Sequence, residues 1–229
     1  MGKKLFTVLC LVIGVAVFCV GCGNKQEVKD VTAGVTENTR TDIQKTLEEN
    51  ENIAEVTWSE DKTCVFFTKD IGNYVRQLYQ WKAGETNENQ VKGVSGNLYD
   101  ITQSDDGKYI TVNEGTGTIY TTIIISVEDL LLVEEIVNVG GPVWSPDSDK
   151  LAFAVLNDKK PSIDMEWDGT SDLLIYNIKS KGKEIVLVAD NDFNYNPISW
   201  DENGLKYEKN YLDGRKSEEL TTGILTRLK

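Results

Sequence analysis

Apolar residues fall into three regimes along the 229-residue chain. Leu5 to Val20 is an apolar run of about sixteen residues behind Lys3-Lys4. It is short for a bilayer span and suits the h-region of an export signal. From Gly23 to Arg40 the chain is polar and without periodicity, which predicts a flexible tether over 22–40. Thr41-Asp42-Ile43-Gln44 then reads as a capping box, and Ile43 and Leu47 stand four apart. That predicts one short amphipathic helix over 42–50, within a segment 41–52, packed on the rim of a domain. From Ile53 to the end the pattern changes to short β-type runs punctuated by Gly, Asn, Asp and Ser, which predicts an all-β body over 53–229.

The body repeats itself. Trp144-Ser145-Pro146-Asp147-Ser148-Asp149-Lys150-Leu151-Ala152-Phe153 has an equal-length partner in Trp58 to Phe67 and another in Gln103 to Val112. Trp200-Asp201-Glu202-Asn203-Gly204-Leu205-Lys206-Tyr207 is a fourth copy, two residues tighter. The anchors 58, 103, 144 and 200 are 45, 41 and 56 residues apart. Several strands per repeat at that period are the sign of a β-propeller. Each unit reads as a strand end, a tight turn and a second strand, with Asp and Ser bonding the turn's own amides. The Trp is a plate able to pack between neighbouring sheets. Third and fourth strands are expected at 77–81 and 90–94, 120–127 and 131–139, and 172–178 and 184–188.

These repeats resemble the Trp-Ser-Pro-Asp-Gly-Lys units of TolB-type propellers, also found in the propeller of prolyl-oligopeptidase-type peptidases. The resemblance covers about 53–229 and implies a blade, not an activity; such relatives mostly bind other proteins or gate a neighbouring domain. Four blades are fewer than those families use, so ring closure is open. No last strand is evident after Ile224 to Leu228, and residues near 28–40 or 51–57 are candidates to pair there. An open β-sandwich is the alternative architecture.

Cys19-Val20-Gly21-Cys22 resembles a bacterial lipobox, which implies a signal peptide over 1–21 and lipidation of Cys22. The alternative is an uncleaved transmembrane anchor. Either places the body outside the cytoplasm, at the face of a cell membrane. Cleavage leaves 208 residues and, with Lys3 and Lys4 gone, moves the formal charge from −13 to −15. Cys10 and Cys19 depart with the signal, so Cys64 is the one remaining free thiol and no internal disulfide forms. Its setting in Thr63-Cys64-Val65-Phe66-Phe67 marks it as a small core hydrophobe.

The chain has 24 Lys+Arg, 37 Asp+Glu and no His. An acidic surface repels phosphate backbones, which argues against nucleic-acid partners. Without His there is no Ser-His or Cys-His pair and no imidazole acid–base. Gly93-Val94-Ser95-Gly96-Asn97 has the wrong spacing for a nucleophile elbow, and no phosphate-binding loop occurs. No catalytic residue and no cofactor are therefore expected. Binding is expected in two loops that the propeller fold brings to one side. The first is 157–171, with Asp164, Glu166, Trp167 and Asp168; the second is 190–197, with Asp190, Asp192, Asn194 and Tyr195. Asp190-x-Asp192-x-Asn194-x-Asn196 has the alternation of a Ca²⁺ loop, but Tyr195 stands where an EF-hand needs Gly. The expected function is that of a non-catalytic lipoprotein binding a protein or envelope component. The alternative is a carbohydrate-active or Ca²⁺-dependent propeller using the same acidic loops.

Overall fold

A computed structural model describes residues 32–157 and 170–222. Short apolar runs between the turns form fifteen strands among the described residues, all antiparallel to their partners, and the inner strands of the first three sheets are buried on both faces. The first sheet is built from β1 (Ile53–Trp58), β2 (Cys64–Asp70), β3 (Arg76–Lys82) and β4 (Asn89–Gly96). The second holds β5 (Leu98–Gln103), β6 (Tyr109–Glu114), β7 (Tyr120–Ser126) and β8 (Leu132–Asn138). The third holds β9 (Gly140–Trp144), β10 (Lys150–Asn157), β11 (Thr170–Asn177) and β12 (Gly182–Leu187). Among the described residues the fourth has three strands, β13 (Phe193–Asp201), β14 (Gly204–Tyr211) and β15 (Glu218–Thr222). Each sheet is a simple meander, the blade of a β-propeller, with its strands at the positions the repeats predict.

The sheets stack face to face in chain order. Cys64, Phe66, Leu78 and Val91 of the first meet Leu98, Ile110, Val112 and Ile125 of the second. Ile124 and Ile136 of the second meet Leu151, Phe153 and Tyr176 of the third. Ala152, Leu173 and Ile175 of the third meet Leu205 and Tyr207 of the fourth. Among the described residues no buried cluster joins the fourth sheet to the first. The outer face of the first sheet is covered instead by α1 (Thr32–Glu48), whose Ile43 and Leu47 pack on Val65 and Phe67.

Three expectations are corrected here. The helix begins at Thr32, ten residues ahead of Asp42, so 32–40 is not tether. Between Thr32 and Thr41 Gly34, Val35, Asn38 and the threonines are weak helix formers, but no Pro interrupts the stretch, and a nucleated helix gains a hydrogen bond with each added residue. Thr41 therefore lies inside the helix, and no closing strand is found in 32–40 or 51–57, residues 28–31 lying outside the described ones. Residues 53–58 are the first strand of the first sheet, held by β2, and 32–48 are helical. Finally, Trp58 faces α1 rather than a neighbouring sheet, whereas Trp144 and Trp200 do pack between sheets. The run Ile224 to Leu228 lies outside the described residues.

The repeated Ser-x-Asp triplet is explained by its turn. Ser59 Oγ donates to Asp61 Oδ1 (2.6 Å) and accepts from the Cys64 amide (3.0 Å). Ser104 does the same with Asp106 (2.9 Å) and the Tyr109 amide (3.0 Å). Ser145 repeats it with Asp147 (2.6 Å) and the Lys150 amide (2.9 Å). Each Asp also accepts the amide two residues on, from Thr63, Lys108 or Asp149. In the fourth sheet Asp201 stands at the Ser position and accepts the Asn203 amide itself (2.7 Å), which is why that turn is shorter.

These clamps bind the ionised carboxylate. Hydrogen bonds from Ser59 and Ser145 are the main cause holding Asp61 and Asp147 below the ordinary carboxylate range. Burial pulls Asp106 upward, and Lys108 with Ser104 outweighs it, so Asp106 also ends low. A folded pKa below the unfolded value of about 3.9 gives stability that is complete above that pH and drains as pH falls through the folded pKa. The urea midpoint is thus expected to be flat above about pH 5 and to drop below about pH 4. Asp61→Asn with Asp147→Asn should shrink that acid-side drop; an unchanged slope would show that other carboxylates carry it.

Candidate functional site

One end of the third and fourth sheets gathers most of the described candidates. The last residue of β10, Asn157, pairs with the first of β11, Thr170, so the two residues flanking 158–169 lie side by side there. β13 starts beside them. The Ser171 amide donates to Asn194 Oδ1 (2.8 Å), and Ser171 Oγ donates to the Tyr195 carbonyl (2.8 Å). Beneath these lies Asp172, 8% exposed, whose Oδ1 accepts from Asn157 Nδ2 (2.9 Å) and from the Ala189 amide (2.7 Å). A single buried carboxylate thereby ties the exit of β10, the entry of β11 and the crossing to the fourth sheet.

An aromatic run leads from the surface into the core at this end. Phe193 meets Tyr195 edge-on at 5.1 Å between ring centres, and Tyr195 meets Tyr207 at 5.6 Å. Phe193 also meets Tyr211 at 6.1 Å. Lys209 Nζ sits 4.0 Å from the Phe193 ring centre and 4.9 Å from that of Tyr211, whose other neighbour is the Arg215 guanidinium at 4.1 Å. Burial pushes the Tyr207 phenol up, and a hydrogen bond to Tyr211 is the main cause raising Lys209. The chemistry offered is flat apolar surface edged by fixed cations, with the exposed Asp192 and Asp213 beside it.

The structure brings Asp190, Asp192, Asn194 and Tyr195 together on this one end. Asp190 Oδ1 accepts the Asn191 amide (2.8 Å) and the Asp192 carbonyl accepts the Leu212 amide (2.9 Å). Asn194 spends its oxygen on Ser171, and the Tyr195 ring packs partly into the core between the third and fourth sheets. Asp164, Glu166, Trp167, Asp168 and Cys22 lie outside the described residues. Among the described residues no group of three or more His, Cys, Asp or Glu is arranged to hold a metal ion.

At the opposite end, sequence reasoning missed a groove of about 490 Å³ between the first two turns. Ser59, Glu60 and Asp61 form one wall, Gln103, Asp105 and Asp106 the other, and Cys64 and Val127 supply apolar lining. Its origin lies in departures from the repeat. One interface further on, Trp144 stacks on Tyr109 with ring centres 6.3 Å apart. The equivalent positions at the first interface are Gln103 and Cys64, and the space those two rings fill is left open. The signal was in the alignment of repeats: the second unit alone starts with Gln. Cys64 itself is buried and free, and burial pushes its thiol up to about 12, as befits a core residue rather than a nucleophile.

No known protein family and no curated protein matches the sequence. Solved structures do. The β-propeller domain of the Trilobed protease from Pyrococcus furiosus, described as having an open velcro topology, aligns with TM-score 0.52 and 13% identity over 79% of this chain and 60% of that one. An acylaminoacyl peptidase from Pyrococcus horikoshii aligns with TM-score 0.52 and 12% identity over 78% of this chain and 33% of that one. TolB from Acinetobacter baumannii aligns at TM-score 0.40 and 14% identity over 76% of this chain and 44% of that one, too loosely to weigh. The chain thus spans 60% or less of the length of each. At these identities the likeness is one of fold, and the fold is that of a β-propeller.

Proposed function

We propose that this chain is a lipoprotein anchored through Cys22 on the extracytoplasmic face of a bacterial membrane, whose stacked sheets bind a protein or another envelope component without catalysis. The anchoring half rests on Val20-Gly21-Cys22 behind an apolar run, ten residues ahead of the first residue of α1. Ten residues reach at most about 35 Å, which would hold the sheets close to the membrane surface. Among the described residues no helix is long and apolar enough to cross a membrane. The binding half rests on one observation: β10, β11 and β13 are fastened so that Asn157 and Thr170, which flank 158–169, and the 190–192 crossing into β13 lie side by side. Loops on a rigid scaffold, carrying aromatics among carboxylates, are a common recognition surface.

Two measurements test the halves separately. Radiolabelled palmitate is expected to enter the wild-type chain and not Cys22→Ala; equal labelling defeats the anchor. A photo-crosslinking residue at the exposed position 192 is expected to yield a discrete adduct in cells, and the same residue at position 202, on the opposite end of the fourth sheet, is expected to yield none. Identical adduct patterns from both positions would remove the binding assignment from this end.

A further inference from the structure

We propose that the groove between the first two turns is a socket for an arginine side chain presented by a partner protein. This depends neither on the lipid anchor nor on the loop end described above.

The vacancy belongs to the fold. At the next interface the same two positions hold Tyr109 and Trp144, whose rings stack with centres 6.3 Å apart and planes 20° from parallel. At the first interface Cys64 and Gln103 stand in those places, and a groove of about 490 Å³ is left, with Cys64 and Val127 as its apolar lining. It has the place of a missing flat group. Sites that hold a small organic group span about 300–1,000 Å³, so the volume is sufficient. Every residue that lines it is a described one.

The polar lining calls for a donor. Ser59 Oγ donates to Asp61 (2.6 Å), Thr63 Oγ1 donates to the same carboxylate (2.9 Å), and Gln103 Nε2 donates to the Gly107 carbonyl (3.3 Å). These donors are spent within the walls. What is left to a ligand is acceptors: the Gln103 oxygen and, on opposite walls, the carboxylates of Glu60 and Asp105. Both acids are exposed, and neither has a hydrogen bond or ion pair among the described residues. Asp106 is met by Lys108 from outside the lining, and Lys82, opposite Cys64 on β3, also lies outside it. Of the lining residues four are acidic and none is basic, so the occupant that complements them is a cation. A guanidinium suits the place better than an ammonium. It is planar and weakly hydrated, and its fork of N–H donors can meet carboxylates on both walls. Its methylene stem rests on the apolar lining. A free amino acid would bring its own carboxylate against Glu60 and Asp105, so the form that fits is an arginine within a chain.

The test uses the full chain, isotope-labelled, with N-acetyl-arginine N-methylamide as the probe. The amide resonances of Thr63, Gln103, Gly107 and Val127 are expected to shift saturably at low salt, and those of the fourth sheet to stay in place. The citrulline analogue has the same shape without the charge and should bind at least about tenfold more weakly. Glu60→Gln with Asp105→Asn should weaken the probe by a similar factor and leave the urea midpoint unchanged, since neither carboxylate holds a turn together. Gln103→Trp restores the residue that opens the other three repeats. It should abolish probe binding with all four carboxylates in place, and keep or raise the midpoint. In cells, a photo-crosslinking residue at the exposed position 62 should give an adduct that Gln103→Trp removes. No saturable shift, equal binding of the citrulline analogue, shifts spread over the acidic surface, or undiminished binding by either variant would each overturn the proposal. So would free arginine binding more tightly than the capped residue, which would make the groove a small-molecule site, or the lack of an adduct that depends on Gln103.

Discussion

Phe153→Ala is expected to cost about 3–5 kcal/mol of folding stability. The residue is fully buried on β10, paired with Leu174 across β11. It lies in the cluster that joins the second and third sheets with Ile124, Ile136, Leu151 and Tyr176. The cluster draws on β9, β10 and β11 of its own sheet and β6, β7 and β8 of the preceding one, so no single backbone shift can fill the void. The position has a second consequence. The sheets are stacked in series, with separate clusters at each interface, and this one lies in the middle. Weakening it should uncouple the first two sheets from the last two. Urea unfolding of Phe153→Ala is therefore expected to broaden as well as shift, with a lower apparent slope than wild type. A loss below about 1 kcal/mol with an unchanged slope would mean the interface is far more plastic than its burial implies.

The blades were legible because their signals are local. Ser-x-Asp is a self-contained hydrogen-bonded turn, and a period-2 run beside it can hardly be anything but a strand. So Trp144 and Trp200 could be placed between sheets, and the third and fourth strands of the first three repeats fell at the expected positions. What failed was non-local. Trp58 belongs to the same motif, but it opens the first blade and has no sheet before it, so its plate meets a helix. The extent of that helix was also hidden, since Thr32 to Arg40 carries no stripe that distinguishes helix from tether.

The site follows the same division. That the start of β11 and the 190–197 stretch meet follows from blade topology, and the ties from Ser171 to Asn194 and Tyr195 realise it. The roles within it were not legible. Asn194 looks like a free polar ligand in the sequence, yet its oxygen is committed to a neighbouring strand. The groove at the other end depended on two substitutions, Gln103 and Cys64, lying 39 positions apart in sequence. Neither is unusual alone; only their meeting across the first interface opens the space.

Asp172 is the residue on which that loop end hangs, and Asp172→Ala is expected to be the second severe variant. Its carboxylate is almost wholly buried and accepts two donors, the Asn157 amide group and the Ala189 backbone N–H. Truncation leaves both donors in a place water reaches poorly, and each unsatisfied buried group costs about 1–3 kcal/mol. A total near 2–4 kcal/mol is expected, read as a lower urea midpoint. Asp172→Asn keeps an oxygen for the Ala189 amide and should recover part of that loss. The two variants separate stability from recognition. Asn157 and Ala189 frame the exits of both loops, so releasing them should abolish the adduct formed from position 192 even at temperatures where the Asp172→Ala sheets remain folded. If that adduct survives undiminished in the folded Asp172→Ala protein, the loops do not need this carboxylate to hold their shape. The recognition surface would then have to be sought on the 190–197 stretch alone.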